Sequence, residues 1–192
     1  MHIAITGATS GIGEALALQL AAAGHSLVVT GRDPARLASI ASRTNARALA
    51  ADLSTLAGAR TLAAELTALP RLDVLVHNAG ILPTERVLTA DGFEASFATN
   101  HLAPFVINRA LLARPPSRIV QVSAGLYAAG TIDLASGPFG QPFHPFKTYG
   151  TSKLWNLYAT FELAKQLPAV PISYTHLDVY KRQPLRRPTA PR

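Results

Sequence analysis

Thr6-Gly7-Ala8-Thr9-Ser10-Gly11-Ile12-Gly13 joins a short apolar run at Ile3–Thr6 to a helical stretch at Gly11–Ala23. Glycines in that setting permit a tight turn, let the backbone approach a ligand closely, and let helix pack against strand. The helix that follows offers free N–H groups and a partial positive charge at its start, which suits a pyrophosphate. A glycine-rich turn with no ligand is the bland alternative, and a lone glycine pattern does not choose between the two. Its place at residue 6, strictly between strand and helix, favours a dinucleotide.

Outward from this loop, short β-branched runs alternate with longer helical ones. Ile3–Thr6, Ser26–Thr30, Ala46–Ala50, Leu72–His77 and Arg118–Ser123 are expected as strands, mostly continuous apolar runs of the kind buried on both faces. Gly11–Ala23, Pro34–Arg43, Leu56–Leu69, Ala90–Ala113 and Thr148–Leu167 are expected as helices. Asp33 suits the cap of the second and Pro34 its first turn. This alternation implies right-handed crossovers and an α/β fold with a doubly wound parallel sheet flanked by helices. No repeat or linker interrupts residues 1–172, which are expected to form one domain. Ala124–Lys147, rich in Gly, Pro, Phe and His, is a long connection leaving the end of a strand, the edge where such sheets hold ligands.

A hydrophobic share of 48% is ample for a core, and a charged share of 15% argues against disorder. No apolar run is long enough to span a bilayer, and Met1–Thr6 lacks the layout of a signal peptide, so no membrane partner is expected. The chain has no cysteine, which excludes disulfides, thiolate metal sites and cysteine nucleophiles; a cytoplasmic location is the expectation. The formal charge of +7 hints at nucleic acid, but Lys181, Arg182, Arg186, Arg187 and Arg192 all fall in the last dozen positions, and residues 1–172 carry only +3. No nucleic-acid partner is expected. His77, His101 and His144 have neither ligand spacing nor recurring acidic partners, so no metal is expected.

The end of the second strand bears on which dinucleotide binds. An acid there would accept hydrogen bonds from the ribose hydroxyls of NAD, whereas Gly31-Arg32 offers a guanidinium for a 2′-phosphate and a small residue that makes room for it. NADP(H) is therefore preferred, with NAD(H) possible. The alternative is an Arg32 that is solvated or paired with Asp33. Farther along, Tyr149 and Lys153 stand four apart and share one helix face. A phenol with its ordinary pKa of about 10 is a poor acid or base at neutral pH, and a neighbouring ammonium would lower it. Alone, Tyr-x-x-x-Lys more often marks a packed ring beside a solvated amine; it gains weight beside the loop at residue 6.

Together these features resemble the short-chain dehydrogenase/reductase family. The resemblance rests on Thr6-Gly7-x-x-x-Gly11-x-Gly13, Asp52-Leu53, His77-Asn78-Ala79-Gly80, Asn100 and Tyr149-Gly150-Thr151-Ser152-Lys153, in the family's order over residues 2 to about 170. The segments Asp91-Gly92-Phe93-Glu94 and Phe97-Ala98-Thr99-Asn100-His101-Leu102 are similar to its retinol-dehydrogenase-like branch. The resemblance implies a Rossmann-like fold and an oxidoreductase that interconverts a small carbonyl and an alcohol with NADP(H). Thr6, Gly7, Thr9, Ser10, Gly11, Ile12 and Gly13 would hold the cofactor with Arg32. Asp52, with Leu53 beside it, would bond the adenine, and Asn78, Ala79 and Gly80 would line the cofactor. Asn100 would hold a proton-relay water beside Lys153, Lys153 would also bind the nicotinamide ribose, and Tyr149 would give a proton to the carbonyl oxygen. The family orients substrate with a serine just past the fifth strand. Here the strand ends Val122-Ser123-Ala124-Gly125, and the usual register puts Ala124 in that position. Ser123 serves only after a one-residue slip, which changes sheet face; Tyr127 is a further candidate. Relatives commonly pair through their fourth and fifth helices, so a homodimer through that face is the implied assembly.

After Val170-Pro171-Ile172, which opens like a sixth strand, Ser173–Gln183 back-translates into a near-perfect DNA palindrome that matches a sequencing-library transposon end joined to its reverse complement. The stretch resembles translated adapter. Residues 173–192 are therefore expected to be a non-native tail, and the family's C-terminal strands and helices to be incomplete. A chain so truncated is expected to turn over substrate poorly. The alternative to an active enzyme is a catalytically impaired NADP(H)-binding regulator or an inactive fragment, with Ala124 its best support and the intact Tyr149, Lys153 and Asn100 against it.

Overall fold

A computed structural model describes residues 1–176. Within them β1 (His2–Ile5), β2 (Ser26–Gly31), β3 (Arg47–Ala50), β4 (Val74–His77), β5 (Arg118–Ser123) and β6 (Ile172–His176) form one sheet in the order β3-β2-β1-β4-β5-β6. Every pairing is parallel. The winding reverses at β1, which leaves a crevice between the carboxyl ends of β1 and β4. The helices are α1 (Gly11–Ala22), α2 (Pro34–Thr44), α3 (Leu56–Thr67), α4 (Ala103–Ala110) and α5 (Pro145–Gln166).

Strand pleating divides the core in two. Ala4 and Leu75 face α3 and α4, packing with Leu62, Leu66 and Ile107. Their neighbours Ile3, Ile5 and Val76 face α1 and α2, packing with Ala17, Leu37 and Ile40. Apolar runs buried on both faces are what a sheet covered on both sides requires. Asp33 caps α2 by accepting from Arg36 N at 3.0 Å, with Pro34 in the first turn. Thr55 caps α3 through Gly58 N at 3.0 Å.

Two expected helices have different starts. The single helix expected over Ala90–Ala113 is broken up. Gly92 takes φ +81°, and an antiparallel bridge joins Leu88 to Glu94, so the chain turns back on itself there. Buried Glu94 then accepts from Phe97 N at 3.0 Å and starts the helical path. A π-helical turn over Phe97–Leu102 precedes α4, whose first turn holds Pro104. Proline has no N–H to close an α-turn, and the wider turn accommodates its absence. The fifth helix begins at Pro145 rather than Thr148, because His144 Nδ1 accepts from Lys147 N at 3.4 Å and caps it early.

The long connection Ala124–Lys147 contains two short 3-10 turns, Gly125–Ala129 and Gly137–Phe139. It lies against α5, where Thr131 N donates to Thr151 Oγ1 at 3.1 Å. Ser173–His176, the first residues of the adapter-like stretch, belong to β6. The remainder of that expectation, residues 177–192, lies outside the described residues. Among the described residues no helix is long and apolar enough to cross a membrane.

His77 and His101 are buried, and loss of hydration lowers each ring from 6.5 to about 4. Between those values the unfolded chain binds protons that the folded chain refuses, so stability falls as pH drops through this window. Urea midpoints should decline from about pH 6.5 to about pH 4, and the decline should be shallower in His77→Gln. Equal slopes in the two proteins would remove His77 from the acid response.

Candidate active site

The glycine loop is sewn to the loop after β4. Thr6 Oγ1 accepts from Asn78 N at 3.1 Å and from Ala79 N at 3.0 Å. Asn78 Nδ2 donates to the carbonyls of Thr6 and Gly7, each at 3.0 Å. Gly7 has φ +64°, and a Cβ there would stand 2.8 Å from Ala79 Cα. A Cβ on Gly13 would stand 2.3 Å from Gly7 O and 2.4 Å from Asn78 Nδ2. Neither position tolerates a side chain.

This seam aims the start of α1 into a cavity of about 570 Å³ at the β1–β4 crevice. Asp33, Thr55 and His144 each cap their helix with a side chain, but Ser10 makes no such bond to α1. The first N–H groups of α1 thus remain for a ligand. Of the residues expected to hold a cofactor, Gly7, Thr9, Ser10, Ile12, Arg32, Asp52, Leu53, Asn78, Ala79 and Gly80 line the cavity. Thr6 is buried beneath it, while Gly11 and Gly13 shape the turn without lining it. Asp33 gives its carboxylate to Arg36, at 3.7 Å, and Arg32 forms no ion pair among the described residues. The space beside Gly31 is already filled, because a Cβ there would meet Thr9 Cγ2 at 2.3 Å. Gly31 makes room for the loop itself rather than for a phosphate.

Tyr149 and Lys153 project from the first turns of α5. Tyr149 is half-buried, and Lys153 is almost wholly buried with Nζ donating to Val122 O at 3.1 Å. Nζ stands 5.5 Å from the Tyr149 ring centroid. Burial lowers the Lys153 ammonium from 10.5 to about 8, and burial pushes the Tyr149 phenol up. The tyrosine shift runs opposite to the lowering expected from a nearby ammonium, and loss of hydration on burial is its cause. Asn100 is fully buried in the π turn. Its Oδ1 accepts from Ile81 N at 2.8 Å, and its Nδ2 donates to Ile81 O and to Ser152 Oγ, each at 3.0 Å. Gly80 connects this group to the cavity, since a Cβ there would lie 3.4 Å from both Asn100 Oδ1 and Lys153 Nζ. Ser123 makes no hydrogen bond to this group. Its Oγ is sealed from solvent and meets no hydrogen-bond partner among the described residues.

Residues 1–169 match the sequence profile of the short chain dehydrogenases. The chain belongs to the short-chain dehydrogenase family. Over 192 aligned residues it is 38% identical to a Streptomyces sp. (strain C5) protein, DnrU, provisionally named a daunorubicin C-13 ketoreductase. It is 34% identical over 187 residues to retinol dehydrogenase 14 of Mus musculus. The alignments cover 94% and 86% of this chain but only 66% and 56% of those relatives, so the chain spans less than two thirds of their length. A solved short-chain dehydrogenase from Sphingobium yanoikuyae in complex with NADPH superposes with a TM-score of 0.72 at 26% identity, covering 91% of this chain and 70% of that one.

The sequence reading of this short-chain dehydrogenase chain missed several lining residues: Thr30, Arg36, Ser54, Ile81 and Thr99. Arg36 had a signal, because it lies in the first turn of a helix whose N-terminal side already held Arg32. Ser54 donates from N and Oγ to Asp52 Oδ1, a local turn that aspartate favours. Among the described residues no group of three or more His, Asp or Glu stands close enough to hold a metal. Gly13→Ala should lower stability by roughly 1–3 kcal/mol through overpacking, read from urea unfolding. A wild-type midpoint in that variant would contradict the packing of the loop.

Proposed function

We propose that the chain is an NADP(H)-dependent oxidoreductase that interconverts a carbonyl and an alcohol, with Tyr149 as general acid and base. The observation that carries this reading is the cavity at the β1–β4 crevice, entered by an uncapped helix start and joined through Gly80 to Asn100 and Lys153. When bound, the dinucleotide supplies or accepts the hydride. Thr6, Gly11 and Gly13 hold the loop, and the N–H groups around Ser10 and Ile12 take the pyrophosphate. Asp52 and Leu53 receive the adenine, and Asn78, Ala79 and Gly80 form the wall opposite the loop. Arg32 and Arg36, two guanidiniums on one rim, favour a 2′-phosphate and hence NADP(H) over NAD(H).

Lys153, at about 8, is mostly protonated at neutral pH and holds the nicotinamide ribose while its charge favours the phenolate. Tyr149 gives its proton to the carbonyl oxygen in reduction and takes one from the hydroxyl in oxidation. Asn100 fixes Ile81 and α5 in register and holds a relay water beside Lys153. A small carbonyl or alcohol is the substrate, and exposed Phe105, Tyr158 and Phe161 on α4 and α5 support pairing of two copies through that face. The lack of cysteine fits a reducing compartment such as the cytoplasm. The sealed Ser123 hydroxyl favours a second reading, a protein that binds NADP(H) but turns over slowly.

NADPH titration followed by Trp155 fluorescence tests the binding half. Arg32→Ala and Arg36→Ala should each weaken NADPH roughly tenfold while leaving NADH unchanged. Equal losses for both cofactors would defeat the 2′-phosphate assignment. Turnover is read as NADPH oxidation with a panel of aldehydes and ketones. Tyr149→Phe should abolish it, and Ala124→Ser should raise it roughly tenfold or more by adding a donor to the nascent oxyanion. Binding without turnover in both the parent and Ala124→Ser would select the regulatory reading.

A further inference from the structure

The backbone carbonyl of Asn100 is singled out by the sequence around it. Four residues on stands Pro104, which has no N–H, so the ordinary α-helical bond to this oxygen cannot form. Asn156 Nδ2 reaches across from α5 and donates to it at 2.7 Å. Asn100 is 0% and Asn156 3% exposed, so neither has water as an alternative. A carbonyl oxygen only accepts, which fixes the amide with Nδ2 toward Asn100 and Oδ1 away. That Oδ1 meets His101 Nδ1 at 3.2 Å, so the hydrogen of the ring must sit on Nδ1. His101 lies beside Trp155 and Phe97, with ring centroids 5.3 and 5.2 Å away, and this packing holds the imidazole in place.

We propose that Asn156 is a positioning residue. With His101 behind it as the Nδ1–H tautomer, it holds the Asn100 carbonyl and thereby the register of Gly80 against Lys153 in the dinucleotide site. Asn100 grips Ile81 on one side and Ser152 on the other, so any drift of its backbone moves both the residue after Gly80 and the residue before Lys153. This inference rests on the oxidoreductase reading above.

The test uses the whole 192-residue chain. Nitrogen-edited NMR of the histidine side chains reads the tautomer without cofactor or turnover, and Nδ1–H is expected for His101. NADPH affinity is then compared among wild type, Asn156→Ala, His101→Asn and His101→Gln, with urea unfolding confirming that each is folded. The asparagine keeps a donor where Nδ1 stood, and the glutamine carries it to the far end of the ring. Asn156→Ala and His101→Gln should weaken NADPH about five- to tenfold, the scale of one hydrogen bond, while His101→Asn stays within about twofold. An Nε2–H tautomer overturns the proposal, as do equal affinities in all four proteins or a loss shared by His101→Asn. A wild type that binds no NADPH at all overturns the oxidoreductase reading and this inference with it. Wild-type binding with indifferent variants overturns the positioning role alone.

Discussion

Four hydrogen bonds between Thr6-Gly7 and Asn78-Ala79 close the carboxyl ends of β1 and β4 onto each other. They stand where the winding of the sheet reverses, and without them the two strand ends would splay and leave backbone groups unpaired beside the core. The seam is also what brings Gly7 within van der Waals contact of Ala79 and coils Gly13 under Asn78. That coil sets the direction in which α1 leaves the loop, and therefore where its free N–H groups point. The cavity is the space that these constraints leave open. Its far rim is supplied by the ends of β2 and β3, through Arg32 and Asp52, whose positions follow from the parallel register with β1.

Much of this was legible in the sequence because it is written in local periodicity. The five strands read from Met1–Ser123 and the first three helices needed only apolar runs, glycine punctuation and caps such as Asp33. What escaped was non-local. The break before α4 depends on Leu88 pairing with Glu94 and on a buried carboxylate that starts the helix, neither of which leaves a periodic trace. Pro104 was visible, but its consequence required knowing that an amide on α5 stood ready to serve the carbonyl it freed. The use of Gly31 was misread for the same reason, since Thr9 comes to it from the glycine loop after β1. Motif residues were legible as a set, whereas Arg36 and Ser54 belong to no motif and joined the cavity only through the fold.

The Tyr149–Lys153 pair shows what burial does to two neighbouring ionisable groups. Enclosure favours the neutral forms, so it raises the phenol and lowers the ammonium to about 8, and the two groups part in pKa. A tyrosine kept protonated is suited to donate to a carbonyl oxygen. A lysine near 8 still carries its charge at neutral pH and can steady the phenolate that donation leaves behind. The bond from Nζ to Val122 O fixes where that charge sits.

Strand alternation decides the fate of the remaining hydroxyl. Ile119, Gln121 and Ser123 are the buried members of β5, and Val120 and Val122 the partly exposed ones. Ser123 therefore points the way Gln121 does, and both carry side-chain atoms that are sealed and unpaired among the described residues. Rotating Ser123 toward the other face would reverse every side chain of β5, whose pairing with β4 and β6 holds its register. The one-residue slip is thus far costlier than the hydroxyl is worth. Ala124, extended at φ −152° and ψ 148°, continues the alternation onto the face of Val122, whose carbonyl holds Lys153. A methyl group therefore stands on that face, while the Ser123 hydroxyl is committed to the other by the alternation of the strand.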